Sequence, residues 1–145
     1  MPSLQELEMR VLSHLRELDE SLNDWERYQR YSREDLKADR DKRNMILHAM
    51  LVSIQAAIDV SMHLISQNNL GRPATYRETF DILSRAGLIP EELAADLSDL
   101  AGLRNVLVHI YWDLNLDEIY GILQNDLKTL KSFRDAVKAL LSKDS

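Results

Sequence analysis

Residues 45–65 read MILHAMLVSIQAAIDVSMHLI, and this stretch decides the fold. Its apolar residues recur at helical spacing and cover much of the circumference of the helix rather than one face. A helix of this kind has to be covered by other elements on several sides. The stretch therefore predicts the central helix of a helical domain, with core positions at Ile46, Met50, Ile54, Ile58, Met62 and Ile65.

The residues before this stretch predict an amphipathic helix and a polar lead-in. Ser3 followed by Glu6 is the pattern of a capping box, which marks a helix start. Apolar residues then recur at steps of three and four, at Leu4, Leu7, Val11, Leu15, Leu18, Leu22 and Trp25. The segment REDLKADRDKRN, residues 33–44, is polar and of mixed charge. We predict that it is the solvated opening of the central helix, capped by Ser32.

The residues after the central helix predict a short helix and two longer ones. Asn68, Asn69 and Gly71 are expected to end the central helix. In GRPATYRETFDILSRAGLIP, residues 71–90, Thr75 is the predicted cap of a short helix that ends at Gly87. This helix should bury Phe80, Ile82 and Leu83. The next helix follows Pro90 and is predicted to run to about Asn115. A final helix starts at about Leu116, with a stripe at Ile119, Ile122, Leu123, Leu127, Leu130, Phe133, Val137 and Leu140.

Together these segments predict an all-α fold. Four main helices and one short extra helix fit an antiparallel up-and-down four-helix bundle. The length of 145 residues suits a single domain over residues 1–145. Because the apolar stripes are wide, we expect some apolar surface to remain for a homodimer interface.

Composition and charge exclude several classes of protein. The chain has no cysteine, which excludes disulfides and thiolate metal sites. Its N-terminus is charged and amphipathic, unlike a signal peptide, and no apolar run approaches the roughly 20 residues that span a bilayer. We therefore expect a cytoplasmic protein with no membrane partner. The net charge of −6 argues against a broad basic face that coats nucleic acid, although a local basic cleft remains open.

Familiar metal and nucleotide motifs are missing from the sequence. There is no Walker A loop, no dinucleotide glycine pattern and no H-E-x-x-H pair. The four histidines are scattered, so we expect neither a metal nor another cofactor. Asp59 and His63 lie four residues apart on one helical face and could form a ligand pair. A polar pair satisfied within the core is the simpler interpretation.

The stretch RNVLVHIY, residues 104–111, combines functional side chains with apolar neighbours that predict substantial burial. Arg104, His109 and Tyr111 could form either a structural polar network or the lining of a cleft, because a buried arginine needs a partner. On an ideal helix Arg104 and Tyr111 share a face, whereas Arg104 and His109 are about 140° apart. Arg104 and His109 can therefore meet one phosphate only if the helix bends, the arginine wraps round, or two chains share the cleft.

This stretch resembles the signature of HepT-like toxins in the HEPN superfamily: Arg, four residues, His, one residue, Tyr. Asn105, directly after the arginine, also fits the HEPN pattern. Residues 43–65 look like the central helix of the family, including Gln55 and Asp59, and residues 71–90 look like its linker. The resemblance covers about residues 40–125.

The resemblance implies a metal-independent ribonuclease that acts as a homodimer with an HEPN-like fold. His109 would be the general base or acid, Arg104 the phosphate-binding group, and Asn105 would position the substrate. Transfer RNA or messenger RNA would be the substrate, and DNA would not be cut. The resemblance also implies a partner, a minimal nucleotidyltransferase antitoxin of the MntA-like type, that attaches AMP to Tyr111. Asp59 would support the site by contacting His109 or Arg104.

The role of three arginines and two alternative functions stay open from the sequence. Arg72, Arg77 and Arg85 could supply a local basic patch, or could simply be solvated. The chain could be a non-catalytic module that binds a nucleotide or a partner beside a nucleotidyltransferase. It could also be a structural interaction protein in which the motif only ties the bundle together.

Overall fold

The chain folds into helices throughout the part that the structure describes. The computed structural model describes residues 4–108 and 114–143, and within them seven helices and no strand. The helices are α1 (Leu4–Tyr28), α2 (Arg33–Ala38), α3 (Arg40–Gln67), α4 (Tyr76–Arg85), α5 (Glu91–Val108), α6 (Leu116–Asn125) and α7 (Leu127–Lys143). The prediction of an all-α fold is confirmed.

The four longest helices, α1, α3, α5 and α7, surround the core. α1 packs along α3, α3 contacts α5, and α7 closes the arrangement by contacting α1 and α5. Two ion pairs show that α1 and α7 are antiparallel: Lys138 Nζ lies 3.0 Å from Asp19 Oδ2, and Lys131 Nζ lies 2.7 Å from Glu26 Oε1. The short α4 packs on α5 and α3, as the predicted extra helix.

The core is formed mainly by the predicted stripes. Buried stripe residues include Val11, Leu15, Leu18, Leu22, Trp25, Ile46, Met50, Ile54, Ile58, Ile65, Ile119, Leu123, Leu127, Leu130, Phe133 and Val137. Phe80 of α4 meets Phe133 of α7 edge to face, with ring centroids 6.0 Å apart. This contact joins the short helix to the bundle.

Some predicted core positions differ from the structure. Met62 is 37% exposed, because it lies at the edge of the core, where its Sδ accepts a hydrogen bond from Thr79 Oγ1 on α4. The prediction that Met62 is buried is wrong. Ile82, Ile122 and Leu140 are only partly buried. The predicted cap at Ser3 and the side chains of Leu4 and Leu7 lie outside the described residues.

The central helix begins later than predicted, because Asp39 interrupts it. Asp39 is extended, with φ −104° and ψ 106°, and its carboxylate accepts from the Lys42 N–H at 3.1 Å as the N-cap of α3. Arg43 Nη1 donates to the Leu36 carbonyl at 3.3 Å and so satisfies part of the end of α2. The predicted cap at Ser32 is present, but it starts α2 rather than one long helix. Leu36 of α2 is fully buried.

The last two helices also differ from their predicted bounds. Asn115 does not end the helix before it. It is extended (φ −77°, ψ 98°), and its side chain accepts from the Glu118 N–H at 3.1 Å as the N-cap of α6. The predicted final helix is divided at Asp126, whose carbonyl accepts from the Thr129 N–H at 3.1 Å. Asn and Asp are weak helix formers that cap well, which explains both breaks.

The turns on either side of α4 agree with prediction. Asn69 has φ 54°, and the Leu70 N–H donates to the Ile65 carbonyl at 3.0 Å, which ends α3. Thr75 caps α4, and its hydroxyl accepts from the Glu78 N–H at 3.1 Å. Gly87, with φ 77°, directly follows the cap at the end of α4. These turns set the start of α4 against the middle of the bundle.

The central helix is long and apolar enough to cross a membrane by length and composition. The prediction that no apolar run approaches this length is therefore wrong for this helix, because a long helical window tolerates scattered polar residues. In the fold, 61% of the most apolar window of this helix is buried. Its apolar character follows from its place against α1, α4, α5 and α7.

Candidate active site

Arg104 reaches across from α5 to α3 and is held there by an amide. Its Nε donates to Gln55 Oε1 at 2.7 Å, and Gln55 Nε2 donates to Asp59 Oδ1 at 3.0 Å. Gln55 and Asp59 lie four residues apart on α3, one turn of helix, so both side chains reach the same side. The three residues form a continuous hydrogen-bonded relay.

Two further contacts restrain the half-buried guanidinium of Arg104. Its Cζ lies 4.7 Å from the centroid of the Tyr76 ring, within the range of a cation–π contact. Its Nη1 donates to Asn105 Oδ1 at 3.3 Å. Tyr76 is the first residue of α4 and directly follows the cap at Thr75. A long, flexible side chain is therefore restrained at three points.

The relay lines a cleft of about 350 Å³ between α1, α3 and α5. Among the described residues the lining consists of His14, Glu17, Leu51, Val52, Gln55, Ala56, Asp59, Arg104 and Val108. The cleft contains one permanent cation and two carboxylates. The guanidinium is therefore the group in the described lining that suits a phosphate.

The prediction that Asp59 contacts Arg104 directly is wrong. Asp59 acts on the arginine through Gln55, and its other oxygen lies 3.9 Å from His14 Nδ1. Because Gln55 fills the space between α3 and α5, the carboxylate lies one side chain away from the guanidinium. A contact between Asp59 and His109 involves a residue outside the described part of the chain.

The predicted polar pair of Asp59 and His63 is also not formed. His63 instead stacks on His14, with ring centroids 5.1 Å apart and an interplanar angle of 26°. Burial, followed by the proximity of His14 and of Arg10, lowers the pKa of His63. The shift favours a neutral imidazole, which suits a stack of two rings without a second positive charge. The described residues include no cluster of three or more potential metal ligands of the His, Cys, Asp or Glu type.

The end of α5 is less buried than predicted. Leu107 is buried, but Val106 is 52% exposed and Val108 is 43% exposed. Asn105 is exposed beside Arg104. Apolar residues alone therefore did not determine the burial of this end of α5. His109 and Tyr111 lie outside the described residues, between Val108 and Leu114.

The three arginines suggested as a basic patch do not line the cleft within the described residues. Arg77 lies over Gly102 and lines a separate pocket of about 630 Å³ between α5 and α6. Arg85 lines another pocket, and Arg72 is exposed in the loop before α4. Burial and nearby Asp96 raise the pKa of Asp126, which lines the larger pocket together with other carboxylates. A pocket with this excess of acids is poorly suited to bind a phosphate.

The match to a family of proteins follows the same part of the chain. A family model described as ribonuclease HepT-like matches residues 18–137, from the middle of α1 to α7. The chain belongs to the HepT-like family. The match spans the relay and the segment that carries His109 and Tyr111, and it includes the described lining of the cleft except His14 and Glu17.

Two individual relatives with similar sequences are HepT nucleases. The chain is 38% identical over 85 residues to an mRNA nuclease HepT of Shewanella oneidensis, over 59% of this chain and 64% of the relative. It is 36% identical over 66 residues to a tRNA nuclease HepT of Aphanizomenon flos-aquae, over 46% of this chain and 45% of the relative. The chain thus spans less than two thirds of the length of these two relatives.

The fold of the HepT-like chain also matches a solved complex. The structure is of tri-AMPylated Shewanella oneidensis HEPN toxin in complex with MNT antitoxin. It superposes with a TM-score of 0.81 at 26% identity and covers 89% of this chain and 96% of that one. The structural match thus extends over most of both chains, beyond the part matched by sequence.

Several contacts of the candidate site were not predicted from the sequence. Tyr76 was not singled out, and its packing on Arg104 depends on how α4 docks on α5. His14 is one of four scattered histidines, and its position in the cleft depends on the packing of α1 on α3. The spacing of Gln55 and Asp59 on one face of α3 was a signal of their contact.

Proposed function

We propose that this chain is the RNA-cleaving toxin half of a toxin–antitoxin pair, a single domain over residues 1–145 that acts in the cytoplasm. The observation that carries the proposal is Arg104, whose guanidinium is restrained at the edge of a cleft five residues before His109. A restrained cation and an imidazole that act on the same phosphate can support metal-free RNA cleavage. The names of two relatives, an mRNA nuclease and a tRNA nuclease, support RNA as the substrate.

The reaction follows from the chemistry of RNA. The imidazole of His109 accepts the proton of a ribose 2′-hydroxyl, and the 2′-oxygen attacks the adjacent phosphorus. The bond from phosphorus to the 5′-oxygen of the next nucleotide breaks, and that oxygen takes up a proton from water or from the imidazolium formed on His109. Arg104 stabilises the negative charge on the phosphorane through bidentate hydrogen bonds. The exposed side chain of Asn105, next to Arg104, positions the substrate. DNA lacks the 2′-hydroxyl and is not cut.

The charge distribution limits how RNA binds. With a net charge of −6, the chain attracts RNA only at a local cation. Asp59 and Glu17 also line the cleft and repel a phosphate, so a phosphate binds against Arg104. Transfer RNA and messenger RNA both have accessible single-stranded segments that fit such a small contact.

We further propose that the active form is a homodimer. Arg104 and His109 lie about 140° apart on a straight helix, so two chains that face each other can supply both groups to one phosphate. The exposed Val106 and Val108 at the end of α5, with Leu12 on α1, offer apolar surface for this contact. Light scattering of the purified chain measures the oligomeric state.

The proposed activity predicts RNA cleavage by the purified chain without a metal. Cleavage should be unchanged by EDTA, and the products should end in a 2′,3′-cyclic phosphate. These ends resist periodate until the cyclic phosphate is opened and the phosphate is removed. Single-stranded DNA of the same sequence is the control and should remain intact. Loss of cleavage with EDTA would overturn the metal-free mechanism, and tight nucleotide binding without cleavage would favour the non-catalytic binding module.

The partner is proposed to be a minimal nucleotidyltransferase that attaches AMP to Tyr111. The tri-AMPylated toxin in complex with MNT antitoxin supports this partner. Tyr111 follows Arg104 by seven residues, about two helical turns, so an added nucleotide phosphate would compete with RNA for the guanidinium.

Replacing Tyr111 with phenylalanine should preserve RNA cleavage and prevent neutralisation. The phenol oxygen is the acceptor of AMP, whereas the ring can still pack. Co-expression with the nucleotidyltransferase should rescue growth of cells with the parent chain but not with Tyr111→Phe. Intact mass should increase by AMP units only in the parent. Tyr120→Phe, on α6, is the matched control and should behave like the parent. Normal neutralisation of Tyr111→Phe would contradict modification at this residue.

A further inference from the structure

The relay from α3 to α5 has a defined direction. Arg104 can only donate hydrogen bonds, and an ionised Asp59 can only accept them. Gln55 lies between them, so its oxygen must face the arginine and its nitrogen must face the carboxylate, as observed at 2.7 Å and 3.0 Å. The orientation of the amide is therefore determined by its neighbours and not by its own preference.

The contacts of Arg104 determine which of its N–H groups can bind a ligand. Gln55 occupies the Nε–H, and the Tyr76 ring covers one face at 4.7 Å. Asn105 takes one hydrogen of Nη1 at 3.3 Å. Among the described residues, none accepts a hydrogen bond from Nη2. The end of the fork, made by the two terminal nitrogens, is thus left for a bidentate ligand.

A glutamine at position 55 also leaves the positive charge of Arg104 unneutralised. A carboxylate in direct contact with the guanidinium would hold it as firmly but would neutralise much of its charge. The neutral amide transmits the orientation set by Asp59 while separating the carboxylate from the cation. The arginine is therefore fixed in place and still able to attract a phosphate.

We propose that Gln55 is the positioning residue for Arg104, and that Asp59 sets the orientation of the Gln55 amide, so that the terminal nitrogens face the scissile phosphate. This inference rests on the proposed ribonuclease function. Gln55 itself does not contact the RNA. Its role is to place a group that does.

A double-mutant cycle tests this role. Gln55→Leu removes the hydrogen bonds while keeping similar volume, and should lower kcat by about 10- to 100-fold, the cost of a misplaced catalytic group. In an Arg104→Ala background the same change should have no further effect, because the group it positions is absent. A merely structural role predicts additive losses instead.

Two further variants separate position from charge and from stability. Gln55→Glu keeps an acceptor for Arg104 Nε but pairs its charge, so kcat should fall less than in Gln55→Leu while KM rises. Gln29→Leu is the matched control, because this half-buried glutamine donates to the Leu123 carbonyl at 3.0 Å, away from the cleft. It should lower stability without changing kcat or KM of the remaining folded enzyme.

The failure of this inference can be told apart from failure of the proposed function. No cleavage by the parent chain would overturn the ribonuclease function and, with it, a role for Gln55 in cleavage. Active parent chain with additive losses in the cycle would overturn the positioning role alone. Side-chain NMR gives a readout that needs no activity: the Arg104 Nε–H should exchange slowly with water in the parent and rapidly in Gln55→Leu. Equal exchange in both would also overturn the positioning role.

Discussion

Replacing His109 with alanine should abolish both growth arrest and RNA cleavage when the chain is expressed without its antitoxin. The loss of a general acid or base lowers the rate by about 10²- to 10⁴-fold. Arg104 remains in the variant, and its contacts with Gln55 and Tyr76 do not involve position 109. Phosphate binding should therefore persist while proton transfer is lost. Growth and total RNA, followed together after induction, measure the effect.

The control for this prediction is His48→Ala. His48 is exposed on α3 and does not line the cleft among the described residues, so the variant should arrest growth like the parent. Circular dichroism has to show that all three proteins fold. Unchanged RNA cleavage by His109→Ala would contradict the proposed role. If neither the parent nor the variant cleaves RNA, and the variant only loses about 1–3 kcal/mol of stability, the structural interpretation is correct.

Replacing Trp25 with alanine should lower the free energy of unfolding by about 3–5 kcal/mol, the usual cost of deleting a large buried aromatic side chain. Trp25 is fully buried, and its Nε1 donates to the Leu123 carbonyl at 2.9 Å, which ties α1 to α6. α6 begins just after the segment that carries His109 and Tyr111. The loss of this anchor should therefore reduce RNA cleavage through unfolding, even though Trp25 lies outside the cleft.

Urea unfolding followed by circular dichroism measures this effect, because the second tryptophan, Trp112, would confuse fluorescence. Trp25→Phe should cost only about 1–2 kcal/mol, since most of the apolar volume stays and Gln29 still donates to the Leu123 carbonyl. Glu20→Ala, at an exposed position on α1, should change stability by less than about 0.5 kcal/mol. Equal losses at Trp25 and Glu20 would show that burial in the structure does not reflect the core in solution.

The helix starts and the core could be predicted from the sequence to different degrees. The stripes of α1 and α3 were predictable, since an apolar residue at helical spacing must be buried in any fold of this class. The breaks at Asp39 and Asp126 were missed, because each aspartate can either remain in a helix or cap one. That choice depends on which arrangement buries more apolar surface in the tertiary structure. Here Leu36 of α2 and Leu127 of α7, close before or after the breaks, are buried.

Some features of the candidate site could likewise be predicted from the sequence, whereas others depend on the tertiary structure. The sequence by itself determined the candidate residues for the chemistry, because Arg104, His109 and Tyr111 occur at a spacing that matches the family signature. It also placed Gln55 and Asp59 on one face of α3, because residues four apart on a helix are neighbours. Only the tertiary structure decided that this face meets Arg104, that Tyr76 covers the guanidinium, and that Asp59 acts through Gln55. These contacts join α3, α4 and α5, and their geometry depends on how the helices pack, which no local pattern encodes.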